Sequence, residues 1–259
     1  MQLVIRSAIR ICAAMVVWCL VSTTWLNGQI VNVESLRKQT DTTGFAGGVE
    51  FNGSFLDNEK VIYTLQFLPH VQYKWERDLL LLVGDYKLTK SEDVAFEDAA
   101  FLHLRHNREF TDLFRWESFT QIQHNKVAKL EYRILIGSGP RLKLLGDKFL
   151  RIYFGALPMY QYERIQNEER TIEDNFRLSN YLSFTVNISE SAQLFSTSYY
   201  QPIWNKWRDY RFYNEQKLVV KLVGDLNLTA TSVYTWDNRP PEGAPPRTLQ
   251  IKTGLLYKF

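Results

Sequence analysis

The chain has 259 residues, with 31 Lys and Arg against 28 Asp and Glu, a formal net charge of +3, 45% hydrophobic residues and 14% aromatics. So even a charge balance points to no nucleic-acid partner, and the length suits one or two domains. No apolar run beyond residue 28 is long enough for a spanning helix, so a chain that crosses a membrane here must do so with strands.

Arg6 and Arg10 precede an apolar run over 11–20, and Ser22, Thr23, Thr24 and Gly28 come after it. That is the layout of a secretory signal peptide over 1–28, with cleavage expected near Gly28. Cys12 and Cys19 both fall in it, and Cys19 lacks the small residues that precede a lipoprotein cysteine. The mature chain is therefore expected to hold no cysteine and to depend on packing and backbone hydrogen bonds. Residues 29–43 form a polar lead-in that carries Glu34, Arg37, Lys38 and Asp41 beside apolar Val31, Val33 and Leu36. It is read as a periplasmic N-terminal segment: a tether, a partial plug of the strand-rich remainder or a stretch that pairs with a periplasmic partner.

From residue 44 onward the pattern has period two. Phe45, Val49, Phe51 and Phe55 alternate through a first strand, and Tyr63, Leu65, Phe67, Val71 and Tyr73 oppose Gln66, His70, Gln72 and Lys74 in a second. Leu80, Leu82, Tyr86 and Leu88 mark a third, and Leu102 and Leu104 stand against His103 and Arg105 in a fourth. Trp116 and Ile122 oppose Arg115, Glu117 and Gln121; Tyr132, Ile134 and Ile136 oppose Glu131 and Arg133; Phe154 and Tyr160 oppose Arg151 and Glu163. An eighth run sets Phe176, Leu182 and Phe184 against Arg177, Ser183 and Thr185. Residues 192–201 give a ninth strand of ambiguous facing. Leu218 and Val220 oppose Arg211, Glu215 and Lys217 in the tenth, Leu228 and Trp236 oppose Asn227 and Thr235 in the eleventh, and residues 248–259 make the last.

About twelve strands of about ten residues suit tilted membrane-spanning segments, and an even number suits a closed sheet. The expected fold is all-β, an antiparallel up-and-down transmembrane β-barrel over 44–259. Connections after even strands read as brief and those after odd strands as longer, notably 90–97, 166–175 and the proline-rich 238–247. That alternation places the N-terminus and the brief turns in the periplasm. Trp75 and Trp116 then fall on one rim and Trp204, Trp207 and Trp236 on the other, as two aromatic belts. Tyr257 and Phe259 end the closing strand and are the candidate assembly signal, by resemblance to barrels whose assembly machinery recognises such an exposed aromatic. The inverted alternative, a soluble barrel with its apolar faces turned inward, has the same alternation.

Residues 30–37, Ile-Val-Asn-Val-Glu-Ser-Leu-Arg, then Asp41-Thr42-Thr43-Gly44-Phe45, Tyr73-Lys74 and Gly84-Asp85-Tyr86, resemble the domain of unknown function 481 family, known as salt-induced outer membrane proteins. The resemblance spans the mature chain. It implies an outer-membrane barrel of a Gram-negative bacterium with a structural, envelope-stress or osmotic role, and it brings no catalytic or binding residue with it.

The candidate functional set is an inward charge network of Arg105, Arg115, Glu117, Glu131, Arg133, Arg151, Arg177, Arg211, Glu215 and Lys217. It admits two readings: cross-strand ion pairs fill the lumen, which is favoured, or a narrow porin-like pore passes small, anionic solutes. A third, an outer-membrane lipid hydrolase, is the least favoured. It would use the outward pairing of His124 with Ser118 or Thr120 on the fifth strand. No metal, cofactor or nucleic-acid motif is present, and the expected partners are outer-membrane lipid and, during biogenesis, the barrel-assembly machinery. Removal of Phe259 should cut the yield of folded barrel, measured as the fraction of protein showing heat-modifiable gel mobility; an unchanged fraction would remove its role as a signal.

Overall fold

The computed structural model describes residues 32–36, 43–58, 60–91 and 94–259; the signal peptide expected over 1–28 and its cleavage point lie outside the described residues. Twelve strands succeed one another in the chain: β1 Gly44–Asn58, β2 Lys60–Trp75, β3 Asp78–Ser91, β4 Val94–Glu109, β5 Phe114–Asn125 and β6 Leu130–Gly146 make the first half. The second half is β7 Leu150–Ile165, β8 Ile172–Asn187, β9 Ala192–Ile203, β10 Lys206–Val223, β11 Leu226–Asp237 and β12 Arg247–Lys258. Every strand pairs antiparallel with its neighbours in sequence, and β1 pairs with β12 to close a barrel.

The closing seam is short and tight. It runs from Gly48 opposite Lys258 to Asn52 opposite Gly254, and the backbones of Gly47 and Phe259 exchange two further hydrogen bonds of 2.9 and 3.0 Å. A Cβ at Gly254 would collide with the carbonyl oxygen of Phe51, so glycine is what lets β12 approach β1. Along this stretch the two terminal strands pair with each other, as a sheet that spans lipid requires.

Period two sorts the side chains. Phe45 is 76% exposed and Phe51 59%, whereas Glu50 between them on the same strand is 1% exposed. Polar inward and apolar outward is the arrangement of a barrel solvated by lipid, and it excludes the soluble alternative. The aromatics sit on two rims of the outer face. Trp116 and Trp75 lie at the end with the short turns, Trp75 stacked on Tyr73 at 5.7 Å. Trp204 and Trp207, 6.2 Å apart, and Trp236 against Tyr210 lie at the opposite, loop end. Tyr257 and Phe259 are both about half exposed at the turn end.

One expectation changes. The described part of 90–97 is strand, because β3 pairs with β4 out to Ser91 opposite Val94, and the loop 166–175 is shortened to 166–171 because β8 begins at Ile172. Backbone pairing needs no apolar side chain, so hairpins outrun the alternation that marks the lipid-facing stretch. For residues 29–43 the alternatives include a tether and a partial plug of the barrel. Their described part, 32–36, lies within it as a 310 turn over Glu34–Leu36, with Val33 and Leu36 buried against Leu68, Leu79, Leu81 and Val83. Apolar side chains drive that entry: burial of Val33 and Leu36 contributes about 1.5–3 kcal/mol each.

The Gly137-Ser138-Gly139-Pro140 stretch lies inside β6 and accommodates neighbours. A Cβ at Gly139 would collide with the backbone oxygen of Ala156 and stand 2.9 Å from Cα of Leu157. Gly139→Ala should therefore destabilise the barrel by about 1–3 kcal/mol through forced separation of β6 and β7. Gly53→Ala, whose Cβ meets only Thr64 O at 3.9 Å, should stay within about 0.5 kcal/mol. The temperature at which the folded gel band disappears measures both, and equal values would contradict the packing account.

Candidate functional site

The interior is built in layers. In the first, Glu34 of the inserted segment receives Arg105 Nη1 of β4 on Oε1 and Arg141 Nη1 of β6 on Oε2, both at 2.6 Å. Arg141 also meets Glu117 Oε1 at 3.1 Å, and Arg105 meets Glu117 Oε2 at 3.6 Å. Two carboxylates and two guanidiniums thus alternate in a ring, with every side chain at most 5% exposed. Tyr181 OH donates to Glu117 at 2.5 Å, and the Arg141 guanidinium lies 4.1 Å from the Tyr153 ring centre. Charges this dry are tolerated because each has a partner and extra hydrogen bonds.

The inserted segment also reaches the far wall. Asn32 Nδ2 and Ser35 Oγ each donate to Glu215 Oε1 of β10 at 3.0 Å, while Tyr213 OH holds Oε2 at 2.6 Å. Asn32 Oδ1 accepts the backbone N–H of Glu34 at 3.0 Å, which shapes the turn that presents the carboxylate. Residues 32–36 therefore bridge β4, β6 and β10 across the lumen. On the same wall Lys217 pairs with Glu50, whose other oxygen accepts Thr229 Oγ1 at 3.0 Å.

Toward the loop end the second layer is apolar and aromatic. Phe119, Leu135, Leu157, Met159, Tyr181, Tyr199 and Tyr213, contributed by six consecutive strands β5 to β10, form one buried cluster. Tyr199 bridges it, 5.4 Å from the Tyr181 ring and 6.0 Å from that of Tyr213. His103 stacks on Phe119 at 5.4 Å and bonds Gln121 through Nδ1 at 2.8 Å. The space left beside these side chains holds about 20 Å³, the room of a single water.

Nearer the loop end is a third, charged layer. Arg211 donates to Glu163 through Nη1 at 2.8 Å and Nη2 at 3.2 Å, to Asp237 through Nε at 2.7 Å and to Gln161 at 2.9 Å. Arg133 also pairs with Glu163. Arg177 meets Asp209 at 3.2 Å and the Gln201 carbonyl at 3.0 Å.

The sequence-derived charges are distributed among these layers. Arg105, Glu117 and Glu215 surround the inserted segment, Lys217 joins Glu50, and Arg133, Arg177 and Arg211 lie in the loop-end layer. Arg115 and Arg151 line a cavity at the turn end. Glu131 does not join the interior. A register shift between Leu130 and Tyr132 displaces it, and it pairs with Arg164 at 3.1 Å with side chains 38% and 28% exposed. Interior charges outside the sequence-derived set include Glu34, Glu50 and Arg141, and in the loop-end layer Glu163 and Asp237. The Gly-Pro stretch masks Arg141, yet the inward phase of Arg133 and Leu135 carries through Gly137 and Gly139 directly to it.

The outward histidine is also placed. His124 Nδ1 lies 2.8 Å from the Glu131 carbonyl, and Ser118 Oγ lies 2.8 Å from Ser138 Oγ. Six residues of strand, about 20 Å, separate His124 from Ser118. The outward pairing of His124 with Ser118, the least favoured reading, does not form. Among the described residues no cluster of His, Cys, Asp and Glu is disposed to hold a metal ion.

The family model described as "Protein of unknown function, DUF481" matches residues 62–259. The chain belongs to this family. Among solved structures it is similar to the COG4313 outer membrane channel from Pseudomonas putida F1, at 6% identity, over 89% of this chain and 100% of that one, with a TM-score of 0.55. It is likewise similar to the KdgM porin, at 10% identity, over 83% and 99%, with a TM-score of 0.50. No curated protein matches it. The shared feature is the fold, an outer-membrane β-barrel of porin or channel type.

Glu34 neutralises a guanidinium pair that Glu117 alone leaves one charge in excess. Glu34→Ala should lower the unfolding free energy by about 3–5 kcal/mol, as loss of one member of a buried ion-pair set does. The midpoint of denaturant unfolding in detergent checks this, and an unchanged midpoint would mean that the segment is not held.

Proposed function

We propose that this DUF481 barrel is a closed outer-membrane protein with a structural or envelope-stress role, and that it is not a passive pore. The observation that carries this reading is the second layer, an aromatic and aliphatic cluster from six strands, beside which a pocket of only about 20 Å³ remains. The inserted segment on one side and the Arg211–Glu163–Asp237 group on the other reinforce it. Hydrated ions do not cross apolar side chains packed at van der Waals contact.

In this reading the signal peptide is removed near Gly28, the short-turn end faces the periplasm, and the two aromatic belts sit at the two lipid interfaces. The outward, half-exposed Tyr257 and Phe259 at the turn end suit recognition by assembly machinery before insertion. Lipid contacts the apolar outer wall.

Purified protein in a planar bilayer should give no unitary conductance above background. Glu34→Ala should stay equally silent, because the apolar layer persists without the inserted segment. Reproducible single-channel steps from the wild-type protein would overturn the closed barrel in favour of a narrow pore.

A further inference from the structure

Between the inserted segment and the turn-end rim the lumen widens into a cavity of about 550 Å³, the size of a small-molecule pocket. Its wall is cationic on balance, with seven Lys and Arg against five Asp and Glu. Lys74 of β2, Arg115 of β5, Arg141 and Lys143 of β6 and Arg151 of β7 line it, together with the Tyr153 ring. Among the acids, Glu109 is engaged by Arg115 at 2.8 Å through Nε and 2.5 Å through Nη2.

The acids at the rim are occupied or turned aside. Asp147 accepts the backbone N–H groups of Leu150 at 2.6 Å and Phe149 at 2.7 Å, which hold its carboxyl below the usual range. Asp78 is directed to His106 on the outer face at 2.8 Å. Glu76 and Asp112 belong to the turns between strands.

Two cations of the wall remain uncompensated among the described residues. Neither Lys143 nor Arg151 has a carboxylate partner, and Arg151 Nε is buried with no acceptor. At the floor, Arg141 is 2% exposed, and its Nε also lacks an acceptor although Nη1 is engaged. Arg151 lines a second cavity of about 540 Å³ in the same mouth, beside His70 and Lys258. Like charges gathered against a low-dielectric wall raise the local potential, and guanidinium N–H groups without acceptors match the geometry of phosphate and carboxylate oxygens.

We propose that this vestibule is a binding site for a small, multiply charged anion bearing phosphate or carboxylate groups, held by Arg151 and Lys143 above Arg141. The layers behind Arg141 make it a dead-end pocket, so an anion binds from the turn end and leaves by the same way. The dead-end path rests on the closed lumen, but the binding itself does not: binding heat is read without a bilayer, so either idea can fail while the other holds.

Isothermal titration of the full detergent-solubilised protein at low salt, with pyrophosphate and with citrate as probes, tests the site. At least one probe should bind saturably, and the tighter of the two identifies the anionic group preferred. The double variant Lys143→Gln, Arg151→Gln should retain heat-modifiable mobility and bind that probe at least about tenfold more weakly. Lys206→Gln, at the loop end, should leave the affinity unchanged. Absence of saturable binding for both probes, or equal affinity in the double variant, would overturn the proposal.

Discussion

A sheet surrounded by lipid must bond every backbone N–H and C=O group within itself, and the rest of this protein's architecture depends on how that condition is met. The decisive contact is the short seam where Gly48–Asn52 of β1 meet Gly254–Lys258 of β12, extended by the two hydrogen bonds between Gly47 and Phe259. Once the sheet closes there, each side chain has two choices. The outward set meets lipid and must be apolar; the inward set is removed from both lipid and bulk water. Glu50 and Phe51, adjacent in sequence, express that division at the seam itself.

Closure moves the energetic difficulty to the inside. Twelve strands enclose a volume larger than side chains of one wall can fill, and a buried unpaired charge costs several kcal/mol. The protein meets both demands with three different fillings in series. The ring of Glu34, Arg105, Arg141 and Glu117 is neutral as a unit, the Phe119–Tyr199–Met159 layer contains almost no charge to compensate, and Arg211 satisfies Glu163, Asp237 and Gln161 together. Apolar packing between two charged layers also keeps them from forming a continuous wet path.

How much of this is legible in the sequence depends on which signal each residue carries. Where one face is apolar and the other polar, as in Phe176–Thr185, alternation alone specifies strand, face and register. Over Leu79–Val83 both faces are apolar and the phase has to come from Tyr86 and Leu88 further along: Leu80 and Leu82 meet lipid, while Leu79, Leu81 and Val83 form the inner patch that receives Val33 and Leu36. Partners across a lumen are invisible to periodicity, since Glu34 and Arg141 are 107 residues apart. Glu131 departs from its expected inward face for a local reason, a bulge that breaks the period by one residue. Loops read from alternation come out too long because hydrogen-bonded hairpins continue past the lipid-facing stretch.

The inserted segment is the part whose status changes most when these points are combined. A tether would be electrically irrelevant to the barrel; this one completes its charge balance. Without Glu34, Arg105 and Arg141 share the single carboxylate of Glu117, and the first layer carries one net positive charge in surroundings where a guanidinium cannot lose its proton. The same segment supplies Asn32 and Ser35 to Glu215, which otherwise keeps only Tyr213 on its opposite oxygen. Residues 32–36 therefore behave as part of the core that happens to be continuous with the N-terminus. The vestibule inherits its character from this arrangement, because the arginine that anchors Glu34 from the inner side also forms the cationic floor of the cavity on the other.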